Sequence, residues 1–246
     1  MPKAFFIDTS RCTACRGCQL ACKEWYELPA NPTKQRGSHQ NPPDLNPNNY
    51  KVVRFSEHLE NGTVRWNFFP DQCRHCLEPP CKYEADKLVP EAVIQDPDTG
   101  AVVYTDKTRE ISDAGFEDVR AACPYDIPRR DMSTGPIVKC TMCHERVARG
   151  LLPACVKACP TGTMNFGERQ DMLELARRRL DIVRKQYPQA QLADPDAVSV
   201  IYLLTDAPAN YHKNALAQVD TGLDRKMFLA KLCAPLQRGM EAILKL

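Results

Sequence analysis

The 246-residue chain balances 33 Lys and Arg against 31 Asp and Glu, a formal net charge of +2, so no global field draws nucleic acid or an anionic membrane surface to it. Its hydrophobic content of 43% is that of an ordinary globular protein, with length for one large domain or two small ones. The longest apolar stretch, Val198 to Leu204, interrupted by Ser199, falls far short of the roughly 20 residues a membrane helix needs.

In chain order, the N-terminus reads Met-Pro-Lys-Ala-Phe-Phe-Ile-Asp. It lacks the longer apolar region and small-residue cleavage site of a secretory signal, so the chain is expected to carry no export address of its own. A dense run follows: Cys12-x-x-Cys15-x-x-Cys18-x-x-x-Cys22. Leu28 to Pro47 holds five prolines and reads as an irregular surface loop. Lys51 to Phe55 and Val64 to Phe69, joined by a turn at Asn61-Gly62, read as a hairpin. Cys73-x-x-Cys76-x-x-x-x-Cys81 comes next, then a short strand at Ala101 to Thr105. Cys123 stands before Pro124, and the last run is Cys140-x-x-Cys143 followed by Cys155-x-x-x-Cys159-Pro160. Beyond Phe166 the cysteine chemistry ends. Met172, Leu175, Ala176, Leu180, Ile182 and Val183 fall at helical spacing, and Val198 to Leu204 reads as a buried strand. Phe228, Leu229, Leu232, Leu236, Met240 and Ile243 form a terminal apolar stripe around Pro235, for packing on the core or docking a partner.

Thirteen cysteines are an odd number, and their tight spacing argues against a disulfide framework. A 4Fe–4S cube takes four thiolates, and a C-x-x-C-x-x-C loop wraps only three corners. In two-cluster ferredoxins the last cysteine of one run, commonly followed by proline, completes the other run's cube. That exchange assigns Cys12, Cys15, Cys18 and Cys159 to one cluster. Cys22, Cys140, Cys143 and Cys155 form a second, and Cys73, Cys76, Cys81 and Cys123 a third. Twelve cysteines are then used, and Cys233 remains as a structural thiol. Counting back from Cys123 by the same spacing lands on Val119, Phe116 and Asp113, and counting four on from Cys81 lands on Ala85. A fourth cube would need cysteine at all four positions and has it at none.

Zinc prefers two separated cysteine pairs, so four cysteines in the run from Cys12 to Cys22 fit it poorly. Cys140-Thr-Met-Cys143-His144 spells the attachment sequence of c-type haem, but that use leaves Cys22, Cys155 and Cys159 without a purpose. His75 is either a donor to a cluster sulfur or a histidine at the rim of its loop. Arg11, Arg16, Lys23, Arg74, Lys82, Lys139 and Lys157 border ligands, and cations there raise a cluster's potential; Lys82 and Lys157 are the first candidates for this. Arg177-Arg178-Arg179 reads as the wet face of a helix. No nucleotide fingerprint, nucleophile-and-base pair or open metal site is visible, which leaves electron carriage.

The cysteine plan resembles that of the four-cluster ferredoxin subunits of molybdopterin oxidoreductases. Within that group, Cys12-Thr-Ala-Cys15-Arg-Gly-Cys18-Gln, Gly37-Ser-His-Gln-Asn-Pro-Pro-Asp-Leu45, Cys73-Arg-His-Cys76, Ala122-Cys-Pro-Tyr-Asp-Ile-Pro128 and Leu152 to Gly167 are similar to the small subunit of formate dehydrogenase. The nearest likeness is to the soluble periplasmic tungsten or molybdenum enzymes of sulfate-reducing bacteria, whose small subunit has three clusters. The resemblance implies a non-catalytic electron-transfer subunit. Its partners would be a large molybdopterin catalytic subunit and, as acceptor, a multihaem cytochrome c. It implies a periplasmic location, reached with a large subunit that bears a twin-arginine signal; a cytoplasmic location is the alternative. Loss of the fourth cluster and of the membrane helix found in membrane-bound relatives fits a soluble acceptor, with electrons leaving from the Cys73 cluster. The alternatives are a subunit of a polysulfide or dimethyl sulfoxide reductase, or a zinc-stabilised scaffold. The expected fold is α+β, with two ferredoxin-like modules, one inserted in the other. Residues 1–30 with 132–166 hold two clusters, 31–131 hold one, and 167–246 form a C-terminal helix and strand extension.

Overall fold

The computed structural model describes residues 2–131 and 135–217, so Cys233 and the terminal apolar stripe lie outside the described residues. The elements run β1 (Lys3–Asp8), α1 (Gly17–Trp25), β2 (Val52–Glu60), β3 (Thr63–Asp71), α2 (Pro80–Leu88), β4 (Val93–Gln95), β5 (Val102–Tyr104) and α3 (Asp113–Ala121). There follow β6 (Arg129–Arg130), β7 (Ile137–Val138), α4 (His144–Val147), α5 (Ala154–Lys157), β8 (Met164–Glu168), α6 (Arg169–Val183), β9 (Gln191–Ala193) and β10 (Val200–Leu204).

A four-stranded sheet in the order β8-β1-β10-β9 ties the two ends of the described chain together. Strand β1 runs parallel to β10, with Phe5 opposite Val200, and antiparallel to β8, with Phe5 opposite Phe166. Phe5-Phe6-Ile7 and Val200 to Leu204 are continuous apolar runs because both central strands are covered on both faces. Phe6, Ile201 and Leu203 meet Leu173, Ala176 and Val183 of α6 on one face. Phe5, Ile7, Tyr202 and Leu204 point the other way, toward Cys18, Met142 and Cys155. The period of two thus aims one face of the sheet at a helix and the other at the cysteine loops. Half of this sheet, β9 and β10, comes from the stretch read as an extension.

The β2–β3 hairpin pairs Val52 with Asp71 through Glu60 with Thr63. Its turn places Asn61 at φ 50° and Gly62 at φ 77°, the doubly left-handed pair whose twist matches a hairpin. The loop from Leu28 to Pro47 is held by side chains: Arg16 donates to the His39 carbonyl at 3.0 Å, and Gln19 donates to that of Asn41 at 2.8 Å. A smaller core joins α2, α3, β4 and β5 around Ala85, Val93, Val102, Phe116 and Val119. Three of the four positions that a fourth cube would need are therefore packed apolar side chains. The fourth, Asp113, lies on the surface 3.1 Å from Arg130.

Beneath the sheet, Asp71 binds Arg54 at 2.7 Å and Arg74 at 2.9 Å, and Arg54 reaches Asp44 at 2.6 Å. His212 is electrostatically coupled to this network. Burial, with the Arg54 guanidinium nearby, pushes its imidazole down to about 4, against about 6.5 in the unfolded chain. As pH falls the unfolded chain takes the extra proton first. Stability is therefore lost between about pH 6.5 and pH 4, with no further loss from this group below. Allowing for its partial exposure, the loss is on the order of 1–2 kcal/mol. The variant His212→Gln should flatten this segment of the curve of Tm against pH, and an unchanged slope would assign the acid sensitivity to other groups.

Candidate metal centres

Each C-x-x-C run bends at the same place. Ala14, His75 and Met142, the second residue after the first cysteine of each run, have φ of 53°, 45° and 63°. None is glycine, and a left-handed residue of this kind persists only where its surroundings fix it. The bend turns a backbone N–H back onto the first sulfur. His75 donates to Cys73 Sγ at 3.3 Å and Met142 to Cys140 Sγ at 3.5 Å, with Ala14 donating to Cys12 in the same way. Successive amides aimed inward form a nest for negative charge.

Short helices supply the remaining sulfurs. Cys18 and Cys22 lie one turn apart on the buried side of α1, which begins directly after left-handed Arg16. Helix α5 carries Cys155 and packs on α1. A Cβ on Gly17 would come within 3.3 Å of the Ala158 carbonyl oxygen and 3.6 Å of Cys15 Sγ, so the loops close tightly there. Pro79 and Pro80 start α2, with Cys81 in its first turn. Cys123 follows the end of α3 and receives N–H groups from Ile127 and Tyr125. The Cys73 loop is laced onto the lead into β10: the Ser199 amide donates to the His75 carbonyl at 3.0 Å and that of Leu77 to Ala197 at 2.9 Å.

Cys12, Cys15, Cys18 and Cys159 line one pocket with Val53, Pro70 and Met164. A second is lined by Cys73, Cys76, Cys81 and Cys123 with Tyr104, Tyr125 and Lys139. Cys22 acts electrostatically on Cys140, Cys155 and Cys143, and all four of these are buried. The three groups are neighbours in series. Cys18 of the first acts on Cys155 of the second, and Cys73 of the third acts on Cys140 of the second. Among the described residues no three His, Cys, Asp or Glu side chains converge to hold a single metal ion. The sulfurs surround cavities instead.

Burial pushes most of these thiols up, Cys12 to about 11 and Cys123 and Cys140 to about 12. Neighbouring thiols add to the rise at Cys12, Cys123 and Cys140, so burial there disfavours the thiolate unless a cationic occupant offsets it. At Cys159 burial is outweighed by amides of Met164, Thr161 and Thr163 and by the Thr161 hydroxyl at 3.7 Å, which hold it below the ordinary value.

The candidate tuning residues separate by depth. Lys82 is ion-paired with Asp86 on α2, and Lys157 is exposed. His75 is fully buried, away from any rim. Its Nδ1 accepts the Val102 amide at 3.0 Å, which leaves Nε2 to carry the proton, and among the described residues Nε2 has no hydrogen-bond partner. Among the described residues the three deepest cations are Lys51, Arg74 and Lys139. Arg74 and Lys139 border cysteines in the sequence; Lys51 borders none and carried no signal.

A model of the 4Fe-4S dicluster domain matches residues 64–169. Formate dehydrogenase 2 subunit beta (cytochrome c-553) of Nitratidesulfovibrio vulgaris is 61% identical over 216 residues, 87% of this chain and 99% of that protein. Formate dehydrogenase subunit beta of Megalodesulfovibrio gigas is 51% identical over 217 residues, 88% of this chain and 100% of that protein. The nitrate-inducible formate dehydrogenase iron-sulfur subunit of Escherichia coli is 36% identical over 219 residues, 85% of this chain and 71% of that protein. With its grouped cysteines and two relatives matched along nearly their whole length, this chain belongs to the beta, iron–sulfur subunits of formate dehydrogenases, which transfer electrons and leave catalysis to another subunit.

Proposed function

We propose that the chain holds three 4Fe–4S clusters. The first is bound by Cys12, Cys15, Cys18 and Cys159, the second by Cys22, Cys140, Cys143 and Cys155, and the third by Cys73, Cys76, Cys81 and Cys123. Such clusters, when bound, accept and release single electrons. The serial grouping of the twelve thiols carries this reading. Inward amides at Ala14, His75 and Met142 and the unpartnered His75 Nε2 suit an occupant rich in acceptor sulfur.

Burial supports a direction of approach. All four thiols of the middle set are buried, whereas Cys15 is exposed at one end and Cys76 and Cys123 are part-exposed at the other. A partner can therefore approach the first or the third set and not the second. One end meets the large molybdopterin subunit, holding tungsten or molybdenum. The Cys73 end meets an external acceptor, and the cytochrome in the name of the N. vulgaris relative supports a cytochrome c there. Among the described residues no helix is long and apolar enough to cross a membrane. A periplasmic location, reached with a signal-bearing large subunit, fits a cytochrome partner. Two ferredoxin-like modules, 1–30 with 132–166 and an inserted 31–131, are favoured by the pairing of β1 with β8 and the packing of α1 on α5.

The test is chemical analysis of the complex purified without oxygen. About twelve irons and twelve acid-labile sulfides per subunit are expected at four per cluster, after subtracting any on the large subunit. About eight would remove the third set, and zinc without sulfide would end the reading altogether.

A further inference from the structure

Among the described residues, two of the deepest cations have no carboxylate partner. Lys51, just before β2, is 2% exposed, and its Nζ donates to the Pro70 carbonyl at 3.3 Å and to Gln72 Oε1. Both acceptors are neutral, and Pro70 itself lines the cavity of the first cysteine set. The thiols that feel this ammonium belong to two sets, Cys12 and Cys18 of the first and Cys22 and Cys155 of the second. Lys139 repeats the arrangement one step along. It is 5% exposed, and its Nζ donates to the Cys140 carbonyl at 3.0 Å and to that of Val102. It lies 4.9 Å from the centroid of the Tyr104 ring and lines the cavity of the third set. Its thiol neighbours are Cys81 of the third set and Cys140 of the second.

A buried ammonium solvated only by neutral oxygens is costly unless negative charge stands close by. Arg74, at the same depth, shows the usual solution, with the Asp71 carboxylate 2.9 Å away. Lys51, held on the Pro70 that lines the first cavity, and Lys139, in the lining of the third, each act instead on thiols of two adjacent sets. A cube held by four thiolates is net negative and becomes more so on reduction, so a fixed cation in low dielectric stabilises the reduced form of each cube it adjoins.

We propose that Lys51 and Lys139 are fixed counter-charges, one in each gap between successive clusters, and that each raises the reduction potential of both clusters it separates. This rests on the three-cluster series proposed above. The middle cluster gains from both lysines, which keeps the site that no partner can reach from becoming an uphill step between the two ends.

The experiment is a redox titration of the intact complex, followed by electron paramagnetic resonance. Lys51→Met should lower the potentials of two clusters and leave the third in place. Lys139→Met should also lower two, with only one cluster common to both variants. Lys51→Arg, which keeps the charge, should stay near the parent. Unmoved potentials, or an equal shift of all clusters, would overturn the proposal. Iron analysis keeps the two readings apart, because a parent complex with about eight irons instead of about twelve would defeat the three-cluster reading itself. If a methionine variant loses iron, Lys51→Gln and Lys139→Gln, neutral but polar, are titrated in its place and must show the same overlapping pattern.

Discussion

With the three clusters proposed above, replacing Cys76 and Cys81 together with alanine in the intact complex is expected to lower iron from about twelve to about eight per subunit, at four irons per cluster. It should also abolish reduction of the cytochrome acceptor while formate oxidation by small artificial dyes continues. The double change matters, because a single loss leaves three thiolates that can still hold a partial cluster. With only Cys73 and Cys123 left, two of four corners are bare. The third set adjoins the second through Cys73 and Cys140, whereas the thiols acting on Cys18 and Cys155 belong to the first two sets. The first two sets should therefore keep their iron. Dyes that reach the catalytic subunit, or the exposed edge at Cys15, bypass the missing end. Cytochrome reduction at the parent rate, with iron near eight, would place the exit elsewhere and sink the assignment of the Cys73 end.

That Cys159 shares a pocket with Cys12, Cys15 and Cys18, and Cys123 one with Cys73, Cys76 and Cys81, follows a pattern visible in the sequence, because a C-x-x-C loop has a fixed reach and a further cysteine must come from another run. One central strand, β10, was legible for a similar reason, since the unbroken apolar run from Val200 to Leu204 demands cover on both faces. Its partners were not. Strand β10 pairs with β1 across nearly the whole chain, a contact that no local pattern encodes. The left-handed residues escaped too. Sequence rules reserve that conformation for glycine, whereas here Ala14, His75 and Met142 adopt it because a sulfur must receive an amide. Charge was the least legible feature. Lys82 and Lys157 stand beside cysteines in the chain but sit at the surface of short helices. Lys51 stands beside none and is buried, because β2 and β3 fold its end of the hairpin onto the cysteine loops. Proximity to a cluster is a property of the assembled loops, not of sequence neighbours.

The same assembly predicts the largest loss of stability from a substitution that touches no cysteine. Asp71 is 1% exposed and lies between two buried guanidiniums, Arg54 at 2.7 Å and Arg74 at 2.9 Å. Burial alone would raise its carboxyl, but Arg74 and Arg54 outweigh that and hold it below the ordinary carboxylate range. Its contribution to stability is thus full above the unfolded value of about 3.9 and is lost as pH falls through the lower folded value. Asp71→Asn keeps the shape and removes the charge, leaving two buried cations with one shared partner gone. Breaking a buried pair in this way costs about 3–5 kcal/mol. At about 2–4 °C per kcal/mol for a chain of this size, Tm should fall by roughly 6–20 °C. The rings of Phe69, Tyr125 and Tyr202, with centroids 4.7 to 5.0 Å from the Arg74 guanidinium carbon, cannot replace a carboxylate. Adding Arg74→Met to Asp71→Asn removes one stranded charge and should recover part of the loss. Arg74 also stands between Cys73 and Cys76, and the Gln72 side chain accepts from Lys51. Loosening Asp71 should therefore release iron from the third set before the other two on warming. A fall in Tm of less than about 2 °C, worth under about 1 kcal/mol, or iron lost from all sets together, would show that this network does not hold the Cys73 loop.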